Sequence, residues 1–357
     1  MKKILFILLA ACTLVGCQEK KNDVIKIGAI LPLTGKYADS ANGVKAGVEM
    51  AVRELNDSIG YNKYEILYYD TSSDPKLAIT GYRQLRTSKK INYFITTNTD
   101  HSLAIKPLAI KDQVMLVCVA SSAEITNNNN NLIFRPCNTS RDEAKSMVEN
   151  LEHQDSIDRI IVYSQNNDAG LAYKEAFNQY YKGTIDYWYL YETDNNNIRN
   201  IVPITELKNE DCIVVLGFVP TMGTIIKTIK EYGYQGNIIS NPGFNTPSVL
   251  NVAGNAANGV KYLDYNFPYE TDVHKQREAI CKKEFNISFS ALSYMSLTAI
   301  KLIDRAINEI GNNDPIAVGD FLSQKDVYYK VDGAEFYTDG FGGIIPSLVL
   351  KEYNVSH

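Results

Sequence analysis

Ile25-Lys26-Ile27-Gly28-Ala29-Ile30-Leu31-Pro32-Leu33-Thr34-Gly35, with Gly43-Val44-Lys45-Ala46-Gly47-Val48-Glu49-Met50-Ala51-Val52-Arg53-Glu54-Leu55-Asn56 close behind, decides the fold. The first part is an almost unbroken apolar run of strand length, as expected of a strand buried on both faces. Pro32 and Gly35 end it. Over 41–56 the apolar residues Val44, Val48, Met50, Ala51 and Leu55 return at helical spacing. Strand, short loop and helix make the first half of a βαβ unit, and the pattern repeats. Residues 64–69 read as a strand and 75–88 as a helix. The short strands at 93–95 and 114–117 are separated by a helix-like 102–110. This alternation predicts a parallel sheet with helices on both faces.

Leu132-Ile133-Phe134-Arg135-Pro136 leads into Ser140-Arg141-Asp142-Glu143, which reads as a capping box opening a helix to about residue 151. The alternation then starts again. Strands are expected at 159–163, 185–191 and 213–217, with a helix at 170–181. Thr221 reads as the cap of a helix that Gly233 ends. Short strands follow at 238–239 and 260–263. The result is two similar α/β halves. Asparagine runs at 127–131 and 195–197 suit exposed loops, because asparagine tolerates turns and left-handed backbone. Helices are expected again at 271–285, 290–310 and 314–322, then short strands and turns over 328–353. Such a tail fits one shared between the two halves better than a third separate domain.

The chain has 357 residues, of which 45% are apolar and 22% charged, so it can bury a core and is not disordered. Its net charge of −5 argues against a general nucleic-acid binder, which needs a basic face. No nucleic-acid partner is expected. Aromatics are dominated by 24 Tyr, against 12 Phe and 1 Trp. The N-terminal residues 1–16 carry two lysines and a short apolar run, the pattern of a secretory signal. Leu14-Val15-Gly16-Cys17 resembles the bacterial lipobox. It implies cleavage before Cys17, diacylation (palmitate-type) of that thiol and stable anchoring at a membrane. Residues 17–23 read as a polar tether. Cys118, Cys137, Cys212 and Cys281 are scattered with no C-x-x-C pair, so neither a zinc site nor a redox motif is expected. A disulfide among them stays open. No cofactor or metal motif is present, and no G-x-S-x-G, P-loop or H-E-x-x-H, so the chain is not expected to be an enzyme.

The opening segments quoted above resemble those of the type I periplasmic binding proteins of the branched-chain amino-acid class. Ile133-Phe134-Arg135-Pro136, 163–177, 239–259 with Val252-Ala253-Gly254, and 293–306 resemble later segments of that family in the same order. The resemblance implies two Rossmann-like lobes with parallel-sheet cores, joined by a three-crossover hinge in a Venus-flytrap arrangement. Lobe 1 would hold 24–135 and 267–337, and lobe 2 would hold 136–266 and 338–357. Ligand would sit between the lobes at the carboxyl ends of the strands, as in open α/β sheets generally. The implied function is extracytoplasmic capture of a small polar ligand, an amino acid or small organic acid, for the permease of an ABC transporter. The alternative is a lipoprotein on the same fold that regulates or partners another envelope protein.

By that resemblance, Asn98, Thr99 and Ser102 at a helix start would receive a carboxylate, although Thr99 or Asp100 could simply cap the helix. His101 could face the cleft or lie solvated in the loop. Ala120, Ser121 and Ser122 match a small-residue turn that holds ligand with a carbonyl and a hydroxyl. Tyr37 is a candidate aromatic wall. In lobe 2, Asn167 and Asp168, Phe218 and Asn241 would line the matching strand ends. Two residues depart from the family. Ala169 stands where an aromatic is usual, and Pro242 stands where amino-acid binders place the acid that pairs with the ligand's ammonium. A buried ammonium needs a countercharge, so an amino-acid ligand requires Asp168 or another acid in a new position, while Asn241 offers only a hydrogen bond.

Overall fold

The computed structural model describes residues 24–354 apart from 36, 128–129, 153–156, 158, 193–206, 210 and 218. The Cys17 and Phe218 expectations and the 195–197 asparagine run lie outside these residues. Strands β1 (Ile25–Leu31), β2 (Tyr64–Asp70), β3 (Tyr93–Thr97), β4 (Met115–Val119) and β5 (Ile133–Phe134) form a five-stranded sheet in the order β2-β1-β3-β4-β5. All its pairs are parallel. Helices α1 (Ala38–Ile59), α2 (Pro75–Lys89) and α3 (Thr99–Lys111) connect them. The alternation of β1 side chains sorts them by face. Ile25, Ile27, Ala29 and Leu31 join the core formed with α1, while Ile30 packs with α2 and α3.

The second half repeats the scheme. Helix α4 (Ser140–Glu152) leads to β6 (Arg159–Gln165), α5 (Asp168–Tyr180), β7 (Thr184–Tyr191), β8 (Cys212–Leu216), α6 (Thr221–Glu231), β9 (Asn237–Ser240), α7 (Pro247–Ala253) and β10 (Lys261–Tyr265). The chain then adds α8 (Asp272–Phe285), α9 (Ala291–Ile310) and α10 (Pro315–Leu322) to the first core. An antiparallel sheet of β11 (Tyr328–Val331), β12 (Ala334–Thr338) and β13 (Ile344–Pro346) follows. Last comes β14 (Leu348–Glu352), antiparallel to β10 at the edge of the six-stranded sheet β14-β10-β9-β8-β6-β7.

Two caps fall one residue away from their sequence expectation. Thr139, not Ser140, caps α4: its hydroxyl accepts from Asp142 N–H at 3.1 Å, and the Asp142 carboxylate accepts from Thr139 N–H at 2.7 Å. The cap is still reciprocal, but Asp142 closes it and Glu143 turns into the core. In α6, Pro220 holds the cap position and Thr221 is already helical.

Three passages join the lobes side by side. Arg135 N–H donates to Gly342 O at 2.8 Å, and Ile344 N–H donates back to Arg135 O at 3.0 Å. The Asn138 amide reaches Pro346 O at 3.2 Å, and Asn266 N–H reaches Ser347 O at 2.9 Å. The chain stays with β11 and β12 through Pro346, because Phe336 pairs with Pro346, and enters the six-stranded sheet only at Leu348. The last passage therefore lies about ten residues beyond the 337/338 boundary expected from the sequence. Phe267, just past β10, stacks on Tyr294 of α9 at 4.8 Å and on Tyr265 at 5.5 Å, so the second passage is docked on lobe 1 by aromatic rings. All four cysteines from Cys118 to Cys281 are free and buried. Burial pushes the Cys118, Cys137 and Cys212 thiols up to about 12, which leaves them unreactive.

Candidate functional site

The carboxyl ends of β1, β3 and β4 lie together on lobe 1. Thr97 pairs with Val119 in register, so Asn98 and Ala120 are neighbours at one edge. The loop before α1 is stapled to the loop after β2. Thr34 Oγ1 donates to the Asp70 carboxylate at 2.8 Å, Ser73 Oγ donates to Thr34 O at 2.9 Å, and Tyr37 N–H donates to Ser73 Oγ at 3.2 Å. Tyr37 thus enters α1 half-buried at a fixed position.

Asn98 is held in left-handed backbone, φ 67°, at the start of α3. Its Oδ1 is buried with no hydrogen-bond partner. Thr99 is half-buried beside it. Ser102 is wholly buried, and its hydroxyl donates back to Asn98 O at 2.8 Å. Ser102 therefore shapes the turn from beneath. His101 is also wholly buried, 2.9 Å from Thr71 Oγ1, rather than solvated in the loop. Ala120 is half-buried and Ser121 exposed, while Ser122 Oγ caps the short turn at Ala123–Ile125. Lys106 steadies this turn from inside by donating to Glu124 O at 2.6 Å.

On lobe 2, Asn167 and Asp168 are exposed at the end of β6. The Asn167 side chain caps α5, accepting from Gly170 N–H at 2.9 Å. Asn241 is wholly buried. Its Oδ1 accepts from Gly217 N–H at 3.1 Å and its Nδ2 donates to the Tyr173 hydroxyl at 3.1 Å. Tyr173 in turn donates to Glu143. Asn241 is therefore a strut beneath the strand ends. Burial pushes the Glu143 carboxyl up to about 7, against the pull of its hydrogen bonds.

A cavity of about 640 Å³ lies where the lobes meet beside the hinge. Pro242, Gly243 and Thr246 line it from lobe 2, Tyr265 and Tyr269 from the second passage, and Leu292 and Met295 from α9. Asp264 and Lys351 join the lining from β10 and β14. Apart from Pro242, these residues carry no local sequence signal of a site. Asp264 and Lys351 are separated by 87 positions in the chain, so no local pattern could pair them. Among the described residues, none of Tyr37, Asn98, Thr99, Ser102, Ala120, Ser121, Ser122, Asn167, Asp168 and Asn241 lines this cavity.

A family model for periplasmic binding proteins matches residues 24–348. The chain belongs to the periplasmic binding protein family. Among its relatives is the Leu/Ile/Val-binding protein homolog 2 of Brucella abortus, 26% identical over 93% of this chain and 91% of the relative. Among solved structures, the branched-chain amino acid transporter substrate-binding protein LivJ of Streptococcus pneumoniae, in complex with isoleucine, superposes with a TM-score of 0.74 at 18% identity, over 93% of this chain and 97% of that one. A solute binding protein of an ABC transporter from Rhodopseudomonas palustris, in complex with 3,4-dihydroxybenzoic acid, also gives 0.74 at 18% identity, over 93% of both chains. The two-lobed fold of this periplasmic binding protein is thus that of a type I member of the family. Among its described residues no helix is long and apolar enough to cross a membrane.

Proposed function

We propose that this protein is a lipid-anchored, extracytoplasmic solute-binding protein that captures a small ligand between its lobes and presents it to an ABC transporter. The observation that carries the reading is the cavity built jointly by both lobes beside the hinge. A ligand there touches both lobes only when they are closed, so binding energy becomes a change of shape that a partner can read. A micromolar ligand supplies about 8 kcal/mol, enough to shift a hinge equilibrium of a few kcal/mol. Relatives named for leucine, isoleucine and valine, and a structural neighbour holding an aromatic acid, set the ligand range to search. Anchoring rests on Cys17 and the lipobox-like sequence before it.

A thermal-shift screen of residues 18–357 against amino acids, small organic acids, peptides and nucleobases tests this. A ligand raises the melting temperature by mass action, and a flat result across the library refutes capture. The second reading, a regulator or partner of an envelope protein, draws on Pro242 and Ala169 at family ligand positions and on Asn167 and Asn241 being occupied within lobe 2. It predicts that flat result together with retention of an envelope protein.

A further inference from the structure

We propose that the hinge-side cavity is a recognition site for a zwitterion with a bulky apolar body, of dipeptide size, with Asp264 receiving its ammonium and Lys351 its carboxylate. This rests on the reading of the interlobe cleft as a ligand-capture site and assigns its chemistry. The acid absent at Pro242 is supplied one strand over. Tyr262 of β10 pairs with Ser240 of β9, and two residues on from that pair stand Asp264 and Pro242, both at the cavity wall.

Asp264 is fixed. Its side chain is 10% exposed and accepts from Tyr265 N–H at 2.8 Å. Lys351 is the adjustable partner, 38% exposed on its flexible stem. Its ammonium lies 2.8 Å from the Asp264 carboxylate and 5.5 Å from the centre of the Tyr269 ring. The two opposite charges satisfy each other. A simple anion would draw Lys351 away and leave Asp264 unpaired as the lobes close. A simple cation would do the reverse. Either leaves a charge without its partner in a closing site, which is costly. A zwitterion replaces both partners at once, so both charges stay paired.

Three tyrosines, Leu292 and Met295 also line the wall, which suits an apolar or aromatic body, while Asn245, Thr246 and Ser290 add neutral polar groups. A volume of about 640 Å³ falls in the middle of the range for sites that hold drug-sized ligands. That favours a molecule larger than one aliphatic amino acid. Leu292 and Met295 belong to lobe 1, whereas Asp264 and Lys351 belong to the lobe 2 sheet, so such a ligand ties the lobes together.

The test is calorimetric titration of residues 18–357 with four probes: the dipeptide Leu-Phe, N-acetyl-Leu-Phe, Leu-Phe amide and free leucine. Leu-Phe is expected to bind more tightly than leucine, and blocking either terminus to weaken it by at least about tenfold. In Asp264→Asn, whose amide oxygen still accepts from Tyr265 N–H, the penalty for N-acetylation disappears. In Lys351→Met, which keeps the packing stem, the penalty for amidation disappears. Melting curves confirm that both variants fold. Failure of Leu-Phe to bind at about 1 mM, or binding indifferent to both substitutions, overturns the assignment. If leucine binds and responds to Asn98→Ala and Ser121→Ala but not to Asp264→Asn, capture between the lobes stands and the hinge-cavity assignment falls.

Discussion

Replacing Glu143 with glutamine tests whether a protonated carboxyl is built into lobe 2. Glu143 is 2% exposed and takes a hydrogen bond from Tyr173, itself linked through Asn241 to Gly217 N–H. Burial raises its carboxyl from the ordinary 4.5 to about 7, and nearby Asp142 pushes in the same direction. Below pH 4.5 the group is neutral in both folded and unfolded chains, so it adds no pH dependence. As pH rises from 4.5 to 7 the unfolded chain ionises while the folded one resists, and stability falls. Each unit is worth about 1.36 kcal/mol, so the full loss is roughly 3 kcal/mol, complete above pH 7. Glu143→Gln keeps the shape and the acceptor for Tyr173 but cannot ionise. Urea unfolding of both proteins between pH 4 and 8 measures the difference, in which all other titrating groups cancel. The variant is expected to gain on the native protein by roughly 3 kcal/mol across that window. A difference that does not change with pH, or one that turns against the variant as pH rises, refutes the buried neutral acid.

Gly47→Ala is expected to destabilise by about 2 kcal/mol in the same urea assay, because the added Cβ would stand 2.1 Å from Ser293 O and Ser296 Oγ where α1 crosses α9. Arg277→Met should cost about 3 kcal/mol in urea unfolding. It removes the buried guanidinium that pairs with Glu54 at 2.7 Å and with Asp332, leaving both to Lys301 alone. Asn98→Ala with Ser121→Ala should leave the affinity of a ligand in the hinge-side cavity nearly unchanged, since neither residue lines it, and a loss of about tenfold by thermal shift would move the site to those strand ends. Fragment 24–135 alone is expected to show no cooperative melt by circular dichroism, since the first core draws on α8, α9 and α10 from beyond residue 270.

Much of the architecture is legible because a buried parallel strand and an amphipathic helix write their periods into a local stretch. Residues 24–56 announce β1 and α1, and Ser290 to Gly311 mark the ends of α9. Short elements carry less signal. Ile344–Pro346 pairs with Thr338, Tyr337 and Phe336 of β12, a long-range fact that keeps the chain with β12 through Pro346. Caps depend on which of two adjacent acids closes the turn, so Asp142 rather than Glu143 answers Thr139. The candidate site was legible only as a set of loops. Asn98 and Ala120 are neighbours because β3 and β4 are, whereas Ser102, Asn167 and Asn241 turn their polar atoms to the backbone of their own lobe. Part of the tyrosine excess also has a place: Tyr265, Tyr269 and Tyr294 pack with Phe267 around the second passage.

Local stretches of the sequence carry the class of fold and the likeness to a family. Each of these depends on residues near one another in the chain. Which polar side chains remain available, and where opposite charges meet, depends on how distant strands pair. Asp264 and Lys351 lie on different passages of the chain, and it is the antiparallel pairing of β10 with β14 that brings them to 2.8 Å.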